Sequence, residues 1–423
     1  MALQEDRNKS GIAVVGAGTT GYLTTIFLCQ NYPGVPIRWI YPEDNKPIGV
    51  GEATVPEVTK FLRELGITPE EMIKNVNGTV KLGIEAQGFF NKNESFYHPF
   101  GDTESDSVFL RECMSASIVP NDILDYDIGM HFDVRELMDY LDNTLCQYEN
   151  LTIGRHEVGS IDEIQEDIII DCTGFKRHII NQVKQDNFIS ITDKIPNDTA
   201  LVYRGPYKNE KQRIPYTKTI AKDHGWIWNI PLGDTLTAGY VHSSKCKSLD
   251  VLDEFIEHLH ELYDDVDTAR IHMVPMITGR LKEHIIQHKN KTVIALGLSS
   301  FFIEPLESTG LYLVVYGIRL LDKMLSGELS HDMYNRTYNH EFDVILDFII
   351  AHYKYTQNDN EYWNQYKQLA IKPYVENHIF PERSWDYILN GMHQTYFEPD
   401  MTIHDKIKLT RCASYDDWYT KQK

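Results

Sequence analysis

Several features are missing from this chain, and each absence closes a class of function. No apolar run approaches the roughly 20 residues that a membrane-spanning helix needs, and the polar start from Met1 to Ser10 lacks the apolar stretch of a secretory signal. The expectation is a soluble, cytoplasmic protein with no membrane segment. Positive charge is scarce: 41 Lys and Arg against 62 Asp and Glu leave a formal net charge of -21. That balance repels phosphate backbones and anionic lipid heads, and no local basic patch offsets it, so small molecules are expected as ligands rather than nucleic acid. The six cysteines (Cys29, Cys113, Cys146, Cys172, Cys246, Cys412) contain no C-x-x-C pair, and the 17 histidines contain no H-E-x-x-H arrangement. Free thiols in a reducing compartment and no metal site follow. Internal repeats and low-complexity segments are also lacking.

What is present begins with a fingerprint. With 423 residues, 42% of them hydrophobic, the chain can bury at least one large core, and two interlocked modules are expected. Ile12-Ala-Val-Val15 reads as a short strand, Gly16-Ala-Gly-Thr-Thr-Gly21 as a tight turn, and Leu23, Ile26 and Phe27 recur at helical spacing. Strand, glycine turn and helix together form a site where backbone N–H groups and a helix N-terminus favour a pyrophosphate. A turn of this kind also joins a strand to a helix with no ligand at all. The strand Ile37–Tyr41 ends with Tyr41 where such units offer an acid to a ribose hydroxyl, and Glu43 follows two residues later.

Further along, Gly49-Val-Gly-Glu-Ala-Thr-Val-Pro56 offers consecutive backbone N–H groups and small residues against a flat ring, and Asp171-Cys-Thr-Gly-Phe175 ends a buried strand in a turn. The three pieces favour FAD. No second fingerprint serves a nicotinamide nucleotide, so electrons are expected from a separate reductase. Asp133 reads as the N-cap of a helix carrying Val134, Leu137, Met138, Leu141 and Leu145 on one face. From Thr199 to Ser243, short segments rich in Tyr, Trp, Thr and Val, broken by glycine turns, predict an antiparallel sheet. Helical periodicity returns over Leu249 to Leu262 and from Leu311 onward.

Seven segments, taken in order, carry a resemblance. They are the fingerprint, Val50-Gly-Glu-Ala-Thr-Val-Pro56, Asn77-Gly-Thr-Val-Lys-Leu-Gly83, Phe96-Tyr-His-Pro-Phe-Gly101, His131-Phe-Asp133, Gly225-Trp-Ile-Trp-Asn-Ile-Pro231 and Phe302-Ile-Glu-Pro-Leu-Glu-Ser-Thr-Gly310. From about residue 11 to 365 the chain resembles the flavin-dependent tryptophan halogenases. Gly297-Leu298 stands where general FAD hydroxylases commonly carry Gly-Asp, which points to the halogenase branch. The resemblance implies an α/β fold of the FAD-monooxygenase-like kind with an inserted antiparallel sheet and a helical C-terminal cap. Residues 1–330 are expected to hold FAD, with sheet insertions near 86–125 and 199–284, and 331–423 to form the cap.

The resemblance also implies roles. Gly16, Gly18, Thr19, Thr20, Gly21, Gly49, Val50, Gly51, Glu52, Ala53, Thr54 and Leu298 would hold FAD, supplied as FADH2. Ser308, Thr309 and Gly310 would hold a halide (chloride, bromide or iodide) on backbone N–H groups, and the hypohalous acid formed would travel to a second site. There Lys81 would receive it, Glu307 would stabilise the arenium ion and take its proton, and His98 and Phe100 would flank the aromatic ring. Trp226 and Trp228 alternate with Ile227 and read as a packed wall. The clamp that closes over free tryptophan in the family is compressed here to Pro373-Tyr-Val-Glu-Asn-His-Ile-Phe380 and Ser384-Trp-Asp-Tyr-Ile-Leu-Asn-Gly391. Indole- or phenol-type substrates are therefore expected to serve better than tryptophan. An FAD-dependent aromatic hydroxylase and a non-catalytic flavin- or aromatic-binding relative are the alternatives.

Overall fold

The computed structural model describes residues 11–43, 51–373, 378–396 and 401–423. A six-stranded sheet runs in the order Ile285–His288, Lys291–Ala295, Ile168–Asp171, Ile12–Val15, Ile37–Tyr41, Leu151–Arg155, and all its pairings are parallel except the first. Sheets of this kind are covered on both faces, which is why their strands read as unbroken apolar runs. Ile12 and Val14 enter the main core with Leu23, Ile26 and Trp39. Ala13 and Val15 point the other way, into a smaller core with Ile40, Ile169 and Val293. The helix Thr19–Asn31 packs over this sheet and is buried at every residue from Gly21 to Cys29.

The second sheet has seven strands, in the order His272–Pro275, Thr199–Pro206, Thr235–His242, Gly225–Pro231, Thr217–Lys222, Gly83–Gln87, Ser95–Pro99. It is antiparallel except where Thr217–Lys222 runs parallel to Gly83–Gln87. Its side chains alternate as the two-residue period of a strand requires. Ala200, Val202, Trp226, Trp228, Ile230 and Val241 face the main core. Tyr203, Ile227, Leu236, Ala238 and Tyr240 face the helix Ser248–Leu262, which covers them with Val251, Phe255 and Leu259. Trp226 and Trp228 thus stand as the buried aromatic face read from their spacing.

Two elements depart from the sequence reading. Within 86–125 the strands of the seven-stranded sheet end at Pro99, and Glu104–Ala116 is a helix, started by the Thr103 hydroxyl accepting from the Asp106 N–H at 3.1 Å. Its buried residues Val108, Phe109, Leu110, Cys113 and Met114 make one apolar face, a helical period where an antiparallel strand was expected. The C-terminal region contains the helices Thr309–Leu325, His331–Lys354, Glu382–Gly391, Ile403–Leu409 and Tyr415–Gln422, and it also contributes a strand, Ala413–Ser414, paired with Ile118–Val119. The tail therefore returns against the strand Thr79–Lys81, where the Tyr415 hydroxyl accepts from the Val80 N–H at 2.9 Å.

The fingerprint turn is shaped by close approach. Gly16 has φ +109, and a Cβ there would lie 2.3 Å from the Cys172 carbonyl oxygen, while one on Gly21 would lie 2.0 Å from the Gly16 oxygen. A Gly16→Ala variant is expected to lose at least about 2 kcal/mol of stability, because both the conformation and the space exclude a methyl group. Urea unfolding of the cofactor-free protein measures this, and a loss within about 0.5 kcal/mol would contradict it.

Candidate active site

Between the two sheets lies a cavity of about 310 Å³. Of the residues expected around a flavin nucleotide, Gly18, Thr19, Thr20, Glu52, Ala53 and Leu298 line it, joined by Phe175 and Trp228. Gly18 is the N-cap of the first helix, has no side-chain cap, and would place a Cβ in open space. Its turn therefore offers first-turn N–H groups to an anion. Gly16 and Gly21 serve the close packing of the turn itself. Thr54 is buried and bonded to the Met130 backbone, accepting from its N–H at 2.7 Å, so it braces the neighbouring strands instead of lining the cavity. Gly51 begins the strand Gly51–Ala53, and Gly49 and Val50 lie outside the described residues.

Glu52 tests the fit of a flavin nucleotide. Its Oε1 accepts from the Thr19 hydroxyl at 3.2 Å, and its Oε2 is buried without a hydrogen-bond partner. Burial raises this carboxyl to about 7 against the lowering effect of Thr19. A buried polar atom without a partner is costly, and here it belongs to a residue that lines the cavity. An apolar chamber with an open glycine turn at one end and an unpaired carboxyl oxygen suits a flat ring carrying a polar, phosphorylated tail.

A second cluster stands beside this cavity. Lys81 ends the strand Thr79–Lys81, and Glu307 and Ser308 sit in the turn before the helix Thr309–Leu325. Lys81 Nζ donates to Ser308 Oγ at 2.8 Å and lies 5.2 Å from the Phe100 ring centre. Glu307 is held from both sides: Oε2 pairs with His98 Nδ1 and Oε1 with His352 Nε2, each at 2.9 Å. Ser308 is a non-glycine residue in the left-handed region (φ 56), a strained conformation of the kind that collects at functional sites. Its N–H bonds to the Pro305 carbonyl at 3.1 Å and its hydroxyl to Lys81, while it also lines the large cavity. Of the residues expected to hold a halide, Thr309 and Gly310 thus occupy the first helical positions, whose N–H groups have no partner within the helix, and Gly310 lines the cavity.

The electrostatics follow from burial. Lys81 is 0% exposed, and desolvation lowers it from 10.5 to about 7, partly opposed by the Glu307 charge. Burial pushes the Glu307 carboxyl up, but the nearby His98 charge and the hydrogen bonds from His352 and His98 outweigh it and hold the group below the usual carboxylate range. His131 sits behind the lysine strand, between the hydroxyls of Thr79 and Thr217, each at 2.9 Å. Burial first, and then the Lys81 charge, keep it well below an ordinary histidine. Among the described residues, no cluster of His, Cys, Asp or Glu is arranged to hold a metal ion.

Beyond Glu307 a small cavity of about 50 Å³ is lined by His98, Phe100, Phe380, Arg383 and Ser384 among others. The structure thereby brings Lys81, Glu307, Ser308, His98 and Phe100 into one neighbourhood. His352 was not singled out from the sequence. A lone histidine in the apolar stretch Phe348-Ile-Ile-Ala-His352 reads as core, and nothing local marks it.

The tryptophan halogenase family model matches residues 11–130 and 147–402. The chain belongs to the tryptophan halogenase family. This halogenase is 28% identical over 439 residues to tryptophan 6-halogenase SttH from Streptomyces toxytricini, covering 86% of this chain and 82% of that one. It is 26% identical over 435 residues to tryptophan 7-halogenase RebH from Lentzea aerocolonigenes, covering 87% and 81%. The solved structure of Xcc4156, a flavin-dependent halogenase from Xanthomonas campestris, superposes with a TM-score of 0.81 at 20% identity over 98% of this chain and 94% of that one. The α/β fold expected from the motifs is the observed one, and the protein is an enzyme of the tryptophan halogenase family. Among the described residues no helix is long and apolar enough to cross a membrane.

Burying Lys81 opposes folding, since its folded value lies below its unfolded one. The penalty is complete below about pH 7 and fades as pH rises toward 10.5. Lys81→Met in the halogenase is therefore expected to gain about 1–3 kcal/mol of stability at neutral pH, shrinking toward alkaline pH. Denaturant midpoints across pH test this, and a destabilised variant at neutral pH contradicts the cost assigned to the buried amine.

Proposed function

We propose that the halogenase uses reduced FAD from a separate flavin reductase, O2 and a halide to form hypohalous acid, and halogenates an electron-rich aromatic of the indole or phenol type. Held by Gly18, Thr19, Thr20, Glu52, Ala53 and Leu298 in the large cavity, reduced FAD would activate O2, and O2 would supply the oxidising equivalent that converts halide to hypohalous acid. The observation that carries the reading is Ser308, which lines that cavity and bonds the buried Lys81 on its far side.

The N–H groups of Thr309 and Gly310 hold the halide at the helix N-terminus, which needs no cationic side chain. Trp226 and Trp228 wall the aromatic substrate away from the flavin. Lys81, at about 7, keeps an ammonium population whose remaining N–H groups hold the hypohalous acid by its oxygen. Glu307 stays ionised opposite the ring. An arenium ion is a strong acid, so a weak but fixed carboxylate suffices to take its proton, and its charge stabilises the cation beforehand. His98 and Phe100 flank the ring. The 50 Å³ beside them is less than the roughly 150 Å³ that holds benzene, so Phe380 or Arg383 must shift to admit a substrate.

The test supplies reductase, FAD, O2 and each halide in turn with tryptophan, indoles and phenols, read by mass spectrometry. Halogenated indoles or phenols, with poor turnover of free tryptophan, are expected. A selective preference for tryptophan would show that the segment containing Tyr374 and Glu376, which lies outside the described residues, rebuilds the family's clamp. Oxygenated product independent of halide would make the protein a hydroxylase. Lys81→Ala should abolish halogenated product while flavin binding and peroxide release persist. Glu307→Gln should lower kcat by about 10²- to 10³-fold with little change in KM, and an unchanged kcat with raised KM would reassign Glu307 to substrate recognition.

A further inference from the structure

The two histidines on Glu307 are not equivalent. His98 lines the small cavity, whereas His352 is 1% exposed and lies in the last turn of the helix His331–Lys354. His352 Nδ1 is 3.0 Å from the Phe348 carbonyl oxygen, one helical turn back. A carbonyl oxygen only accepts, so Nδ1 carries a hydrogen. Nε2 then faces Glu307 Oε1 at 2.9 Å, a contact that needs one hydrogen on the line between them, and an ionised carboxylate leaves it on Nε2.

We propose that His352 is a positioning residue that keeps the Glu307 carboxylate ionised and fixed in direction. The Phe348 carbonyl sets the imidazole, the imidazole sets Oε1, and Oε2 is left on the side of His98 and the small cavity. This assignment rests on the proposed function in that Glu307 acts on the substrate. The other groups around the carboxylate come from separate elements, Lys81 from the strand Thr79–Lys81 and His98 from the strand Ser95–Pro99, while Glu304 lies three residues before Glu307 in the chain. Glu304 is itself held by the Tyr353 hydroxyl at 2.5 Å and the Asn197 amide at 2.8 Å. Removing His352 leaves two neighbours that favour the charge of Glu307 and one, Glu304, that opposes it when ionised.

His352→Ala should lower kcat by about 10²-fold with KM within about twofold, because a reacting group released from its geometry costs this much. The acid limb of the kcat profile should move to higher pH. His352→Gln restores an N–H donor without the charge, so it should recover part of kcat while the acid limb stays shifted. An infrared difference measurement reads the carboxyl directly. The C=O band of protonated Glu307, identified as the signal lost on adding Glu307→Gln so that Glu304 cancels, should be absent in wild type at mildly acidic pH and present in His352→Gln. A folded His352→Ala with wild-type kcat and acid limb, or a His352→Gln without that band, overturns the proposal. Should both variants misfold, nitrogen-15 histidine spectra of the wild type decide, and an Nε2 of His352 without hydrogen overturns it. If wild type halogenates nothing while the band behaves as expected, the proposed function fails and the role of His352 in holding Glu307 stands.

Discussion

The site depends on keeping a carboxylate charged where water is excluded. Glu307 and Lys81 are both buried, and an ion stripped of water costs several kcal/mol unless other groups replace its hydration. Four separate parts of the chain supply those groups. The strand Ser95–Pro99 brings His98, the helix His331–Lys354 brings His352, the turn before the helix Thr309–Leu325 brings Ser308, and the strand Thr79–Lys81 brings the lysine. The carboxylate answers by resting low, and the lysine, with one hydroxyl and one more distant charge, rests near neutrality. The same scaffold thus favours the charged form of the carboxylate and disfavours that of the amine.

Two cavities lie near this pair, with no lining residue in common. The large cavity lies between the sheets and collects the glycine turn, Glu52 and Leu298. The small one lies beyond Glu307 and collects His98 and Phe100. Ser308 lines the first and bonds Lys81, whose ammonium lies 5.2 Å from the centre of the Phe100 ring that lines the second, and the Ser308 side chain does not cap its own helix. In the proposed reaction a freely diffusible oxidant has to be delivered to one ring position, and a buried lysine bonded to a residue of the large cavity is a fixed point for that delivery with no covalent link.

Local order was legible in the sequence because neighbouring residues encode it. The strand, glycine turn and helix at the start, the Asp133 cap, whose side chain accepts from the Arg135 N–H at 2.8 Å, and the two-residue alternation at Trp226, Ile227 and Trp228 all follow from short-range periodicity. Lys81 and Glu307 were singled out through the family's motifs and not through any property of either residue alone, and the structure buries both in one neighbourhood. What only the tertiary structure decided lies across long separations. The Lys81–Ser308 bond joins residues 227 apart, and the Glu307–His352 bond places a histidine from an apolar helix face on the carboxylate. The strand Ala413–Ser414 pairs with Ile118–Val119 although its own two residues carry no strand signal. Periodicity specifies which face of an element is apolar, not which distant group that face will meet. Packing alone selected His352 for Glu307, and burial alone brought Lys81 down to neutrality.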